Sequence, residues 1–133
     1  MFSVNRKLES PGALTAGYYF YNCQIMKPLQ AITALSALSQ ETRLAAFRHL
    51  VAAGPHGQAA GAIAASLKVP PPTLSFHLKE LERAKLVTQR RESRSIIYAA
   101  NYATMRALLS YLMQDCCVGR PEICDIDISC CAA

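Results

Sequence analysis

Apolar residues recur at helical spacing through much of the chain. Leu29, Ile32, Leu35 and Leu38 return every three residues and predict a first helix. Gln40-Glu41-Thr42-Arg43 opens a second, with Leu44, Phe47, Leu50 and Val51 on one face, and Gly54-Pro55 stops it. A third helix is expected from about Gln58 to Lys68, with Ile63 and Leu67 one turn apart. Val69-Pro70-Pro71-Pro72 then breaks the pattern. Val69 is pushed toward extended geometry by the proline after it, and Pro72 suits the first turn of a new helix. That fourth helix carries Leu74, Leu78 and Leu81 as its stripe, with Ser75, His77, Lys79, Glu82 and Arg83 off it. Two short strands follow, Leu86 to Arg91 and Ser95 to Ala100, the second rich in β-favouring Ile96, Ile97 and Tyr98. Arg91-Glu92-Ser93-Arg94 turns between them. Asn101 is placed to cap a last helix whose face is Met105, Leu108, Leu109, Leu112 and Met113.

The predicted order is α-α-α-α-β-β-α, mainly helical with one β-hairpin. Two helices joined by a short proline-broken turn, followed by a cationic hairpin, describe a winged helix-turn-helix. The reading divides the chain in three. Residues 1–27 lack a sustained period and read as a flexible N-terminal extension, with Met26 a candidate alternative start. Residues 28–114 form the winged domain, for DNA binding and dimerisation. Residues 115–133 form a cysteine-rich sensor tail.

Composition sharpens this picture. At 133 residues and 52% apolar content the chain is sized for one domain with a real core. Lys79, Arg83, Lys85, Arg90, Arg91 and Arg94 face only Glu80, Glu82 and Glu92, so residues 79–94 carry a net +3. The segment from Asp115 onward carries a net −3. A basic block before an acidic, thiol-rich one suggests two tasks, holding a polyanion and sensing something else. No run of 18 uninterrupted apolar residues predicts a membrane span. Arg6 and Lys7 are followed at once by Glu9-Ser10-Pro11-Gly12, so no export signal is read and a cytoplasmic location is expected.

Of the six cysteines, Cys23 stands alone and is read as incidental. Cys116, Cys117, Cys124, Cys130 and Cys131 crowd into the last 18 residues. Disulfide-stapled domains spread their cysteines where a core is missing. Here they lie away from the core-forming residues, which suits free thiols in a reducing compartment.

Several motifs, in order, resemble the ArsR/SmtB family of metalloregulatory repressors. They are Thr42-Arg43-Leu44, Pro72-Thr73-Leu74-Ser75-Phe76-His77-Leu78-Lys79-Glu80-Leu81, Leu86-Val87, Arg90-Arg91-Glu92-Ser93-Arg94 and Tyr98. Cys116-Cys117-Val118-Gly119-Arg120-Pro121-Glu122-Ile123-Cys124 looks like the C-terminal vicinal-cysteine signature of some arsenic-responsive members. The resemblance implies a homodimeric repressor that puts the fourth helix in the major groove and uses the hairpin as a wing. Two other inducer sites of the family do not carry over. Residues 58–67 contain no cysteine, and residues 102–115 contain no histidine and one acid. Ser93 stands where a wing glycine is common, and Phe76 where a polar side chain is frequent.

DNA binding asks for cations on phosphates and polar groups on base edges. Thr73, Ser75 and His77 are the base-reading candidates, and Phe76 is placed to touch a thymine methyl or pack beside Leu74. Lys79, Arg90, Arg91 and Arg94 are the phosphate candidates. Trivalent arsenic, the expected inducer, prefers three thiolates in a pyramid, and soft sulfur ligands discriminate against magnesium and calcium. Cys116 and Cys117 are neighbours, with Cα atoms about 3.8 Å apart; Gly119 and Pro121 let the chain return Cys124 as a third ligand. Cys130 and Cys131 form a secondary pair or supply a fourth ligand, which would favour zinc or cadmium. Expected partners are double-stranded operator DNA and a second copy, with residues 29–38 and 102–114 as the dimerising helices. The leading function is an arsenite-released repressor. The same repressor triggered by antimonite, methylated As(III), zinc, cadmium or thiol oxidation is the alternative. A cysteine-dependent arsenate reductase is remote, because no phosphate-binding loop or strand-turn-helix presents a cysteine, and the chain is read as a non-enzyme.

Overall fold

A computed structural model describes residues 26–114. Helix α1 (Pro28–Leu38) starts on a proline, and Gln30 folds back so that its Oε1 accepts the Lys27 backbone N–H at 2.8 Å. Helix α2 (Glu41–Ala53) is capped by Gln40, whose Oε1 accepts the Arg43 N–H at 2.8 Å. Helix α3 (Ala60–Leu67) ends where Lys68 turns left-handed at φ 54°. Helix α4 (Pro71–Arg83) follows α3 after three residues, with prolines in its first turn. Strands β2 (Val87–Glu92) and β3 (Ser95–Ala100) make the hairpin. Asn101 caps α5 (Tyr102–Leu112) by accepting the Thr104 N–H, and its Nδ2 donates to the Lys85 carbonyl at 3.0 Å.

The sheet corrects the sequence expectation in one respect. Gln58 and Ala59 do not open the third helix. They form a short strand, β1 (Gln58–Ala59), antiparallel to β3, with Gln58 opposite Tyr98 and Ala59 opposite Ile97. The sheet therefore has three strands in the order β1-β3-β2. The turn is also tighter than expected. Arg91 and Glu92 remain paired, opposite Ile96 and Ser95, leaving Ser93-Arg94 as a two-residue link. Ser93 adopts φ 55°, the left-handed conformation that explains why a glycine suits this position.

The core is built from Phe47 and Leu50 of α2, Ile63 of α3, the Leu74-Leu78-Leu81 stripe of α4, Leu86, Val87, Tyr98 and Leu108. Helix α1 enters it with a different face from the one its leucines mark. Ala31, Ala34 and Ala37 are buried, whereas Leu29 and Ile32 are 73% and 62% exposed. Small alanines let the helix lie close to α2 and α4, and the larger side chains are left outside. Helix α5 behaves similarly, burying Leu108 and leaving Leu109 and Leu112 about half exposed. Among the described residues no helix is long and apolar enough to cross a membrane.

Candidate nucleic-acid interface

The site is built on α4. The α3–α4 turn is closed by local hydrogen bonds. Val69 N–H donates to the Ala64 carbonyl at 3.1 Å, and Leu74 N–H to the Pro70 carbonyl at 3.0 Å. With Leu74, Leu78 and Leu81 anchored in the core, the helical period fixes what faces outward. Thr73, Ser75, Phe76 and Lys79 are exposed, as expected for residues that meet another molecule. Phe76 lies nearly opposite the core stripe, with Thr73 and Ser75 to either side.

His77 is set apart from this group. It is half-buried, and its Nδ1 is enclosed with no hydrogen-bond partner among the described residues. Its ring meets that of Phe76 edge-on, with centroids 5.7 Å apart and planes at 66°. The remaining polar exterior of α4 includes an Arg83–Glu80 ion pair at 2.8 Å. Exposed pairs of this kind contribute only about 0–1 kcal/mol, so they shape the charge of the face more than its stability.

The hairpin supplies the other cations. Arg91 and Arg94 are exposed and have no partner among the described residues. Arg90 is held. Its Nε donates to Glu92 Oε1 at 2.7 Å and its second guanidinium nitrogen donates to the His56 carbonyl at 2.7 Å. That bond links the hairpin to the turn between α2 and β1. Sequence reasoning had no signal for the link, because the acceptor is a backbone carbonyl 34 residues away.

Three further side chains hold the frame beneath the interface. Arg43 donates to the carbonyls of Ala37 and Ser36, satisfying the end of α1. His49 Nε2 and Gln58 Oε1 lie 2.7 Å apart, joining α2 to β1. The Tyr102 hydroxyl donates to the Val51 carbonyl at 2.9 Å, joining α5 to α2. Gly57 is the residue whose importance was least visible. It sits at φ 70°, and a Cβ there would stand 2.1 Å from the Tyr98 carbonyl oxygen. The only sequence hint was its place in the Gly54-Pro55-His56-Gly57 cluster. Burial raises the pKa of the Tyr98 phenol above its ordinary value, and the nearby Glu82 carboxylate adds to the rise.

The thiol candidates Cys116, Cys117, Cys124, Cys130 and Cys131 lie outside the described residues, as does Cys23. Residues 26–114 contain no cysteine. Among them, no group of three or more His, Cys, Asp or Glu side chains is arranged to hold a metal ion.

A helix pair joined by a tight turn, with a three-stranded sheet ending in a hairpin, defines a winged helix-turn-helix. A helix-turn-helix domain model matches residues 38–90. Structural neighbours include ArsR-family transcriptional regulators, the family that the motifs of residues 42–98 resemble. One is an ArsR-like transcriptional regulator from Rhodococcus sp. RHA1, 28% identical, covering 63% of this chain and 76% of that one, with a TM-score of 0.55. Another is the homodimeric winged helix-turn-helix DNA-binding domain of a possible ArsR-family regulator from Mycobacterium bovis. It is 27% identical over 65% of this chain and 79% of that one, with a TM-score of 0.52. The transcriptional repressor BigR from Xylella fastidiosa shares the fold, at 24% identity over 65% and 87% of the two chains and a TM-score of 0.51. No curated protein sequence matches the chain.

Proposed function

We propose that this protein is a dimeric transcriptional repressor that holds operator DNA through α4 and the β2–β3 hairpin and releases it when trivalent arsenic binds C-terminal thiolates. The observation that carries the reading is the outer face of α4. Thr73, Ser75, Phe76 and Lys79 stand exposed on a helix whose other face is locked in the core, beside a hairpin offering Arg91 and Arg94. Hydroxyls near the start of the helix suit base edges, and the cations suit phosphates.

Dimerisation is supported by the leucine-rich outer faces of α1 and α5. Leu29, Ile32 and Leu35 on one helix and Leu109 and Leu112 on the other are too many large apolar side chains on two helices to leave in water without cost. A homodimeric neighbour with the same fold points the same way. Two reading helices related by a twofold axis would meet half-sites about 10–11 base pairs apart, or a multiple of that.

The inducer reading rests on sulfur chemistry. Every thiol of the chain lies in residues 1–25 or 115–133, and Cys116 follows the last residue of α5 by four positions. Cys116, Cys117 and Cys124 would supply three soft ligands to As(III), with Cys130 and Cys131 secondary. Antimonite shares the chemistry. A ligand set formed next to a helix of the dimer interface is well placed to alter the spacing of the two reading helices. A coupling of about 1–3 kcal/mol would weaken DNA binding about 5- to 150-fold.

The test is release of purified full-length protein from DNA selected out of a random duplex library, titrated with arsenite, antimonite, methylated As(III), cadmium, zinc and peroxide. Cys116→Ser, Cys117→Ser and Cys124→Ser should each keep DNA affinity without metal and lose most arsenite-driven release. The Cys130→Ser/Cys131→Ser double variant should keep most of it. A triple Cys116/Cys117/Cys124 serine variant that still leaves DNA at the same arsenite concentration would place the inducer site elsewhere.

A further inference from the structure

Phe76 is 60% exposed at the centre of the outer face of α4. A single exposed aromatic side chain is ordinary and decides nothing. Its setting is more informative. Phe76 lies in the first half of the helix, nearly opposite Leu74, Leu78 and Leu81, so it projects farther from the core than its neighbours. Thr73 and Ser75 flank it, and Lys79 stands one turn on. The edge-on contact with the His77 ring limits how far the Phe76 ring can swing. His77 is itself wedged against the protein, with Nδ1 enclosed.

A phenyl ring in that position has no hydrogen bond to offer. Among the edges that base pairs present in a major groove, the one apolar group is the C5-methyl of thymine. The surrounding charge also favours a polyanion over an apolar protein surface, since Lys79, Arg91 and Arg94 all stand exposed on this helix and hairpin. We infer that Phe76 is a specificity-determining residue that reads one thymine methyl in each operator half-site. This rests on the operator-binding reading and adds to it the chemical group recognised. The adjacent hydroxyls of Thr73 and Ser75 then read the neighbouring base edges, so a preferred half-site contains a thymine flanked by bases read through hydrogen bonds.

Replacing thymine by deoxyuridine deletes this methyl and leaves base pairing unchanged. The experiment enriches duplexes from a random library with the full chain, then re-synthesises the preferred duplex with deoxyuridine at each thymine in turn. For the wild-type chain, one position in each half-site should weaken binding about fourfold, the transfer value of one methyl-sized group, and changing both should weaken it about fifteenfold. Phe76→Ala should bind the thymine and deoxyuridine duplexes equally. Phe76→Leu, which keeps an apolar side chain, should retain a preference for thymine. Because Phe76 is outside the core, both variants should match the wild type in far-ultraviolet circular dichroism. Wild-type binding that ignores every deoxyuridine substitution, or a thymine preference that survives in Phe76→Ala, overturns the inference while leaving operator binding intact. A chain that enriches no duplex overturns both.

Discussion

Replacing Gly57 by alanine should damage the fold more than its surface position suggests. The residue sits at φ 70°, where an L side chain costs about 1–2 kcal/mol. The added methyl carbon would also lie 2.1 Å from the Tyr98 carbonyl oxygen and 2.8 Å from its carbon. Both atoms belong to the backbone of β3, so no side-chain rotation relieves the contact. The turn must instead move away from β3, loosening the pairing of Gln58 with Tyr98 and Ala59 with Ile97. Losing one or two backbone hydrogen bonds costs about 1–2 kcal/mol more. The sum, about 3 kcal/mol, should lower the melting temperature by about 12–24 °C for an ordered unit of this size. Gly54→Ala is the control. It also has positive φ, 85°, but nothing lies within 4 Å of its added carbon. Its cost should be the backbone strain alone, about 1–3 kcal/mol. Urea and thermal unfolding followed by circular dichroism give both values. Amide exchange at Gln58 and Tyr98 reports the pairing directly, because the Tyr98 carbonyl faces Gly57 and β1. A Gly57→Ala protein that loses less stability than Gly54→Ala, with exchange at Gln58 and Tyr98 unchanged, would refute the reasoning.

Two other expectations follow from the same structure. Ile32→Glu combined with Leu109→Glu should shift sedimentation toward monomer while residues buried in the monomer keep their packing; a variant that stays fully dimeric at micromolar concentration would show that α1 and α5 do not form the interface. Tyr98 favours its protonated form in the folded state, so the stabilisation is present below its ordinary pKa near 10 and is lost as pH rises past that value toward the raised one. The urea midpoint should therefore drop more steeply for the wild type than for Tyr98→Phe as pH rises past about 10, and equal slopes would remove the assignment.

Elements with a strong period were legible from residues alone. The Leu74-Leu78-Leu81 stripe places α4 and, with it, the outward direction of Thr73, Ser75 and Phe76. Asn101 marks the start of α5 because its short side chain reaches the Thr104 N–H. Helix α1 was legible as a helix but not in its orientation. Its sequence is apolar on more than one face, and packing close to α2 and α4 favours the alanines over the leucines. Strand β1 was hidden for another reason. Two residues have no period, and Gln58-Ala59 are extended because β3 is there to pair with them. The tie between Arg90 and His56 is equally non-local. By contrast, Ser93 stands at a wing position where glycine is common, and its φ of 55° gives the reason.

Strand β3 lies between β1 and β2, so the hairpin is rooted on both sides of its second strand. Arg90 adds a tie to the turn that precedes β1, and β1 runs directly into α3. In mechanical terms, the helix pair and the hairpin are one lever, and its loose end is the Ser93-Arg94 tip. Asn101 is where α5 joins this lever, fastened to Leu86 through its backbone N–H and to Lys85 through its side chain. With Tyr102 bonded to Val51 of α2 next to it, the start of α5 is thus fastened both to the root of the hairpin and to the helix that underlies it.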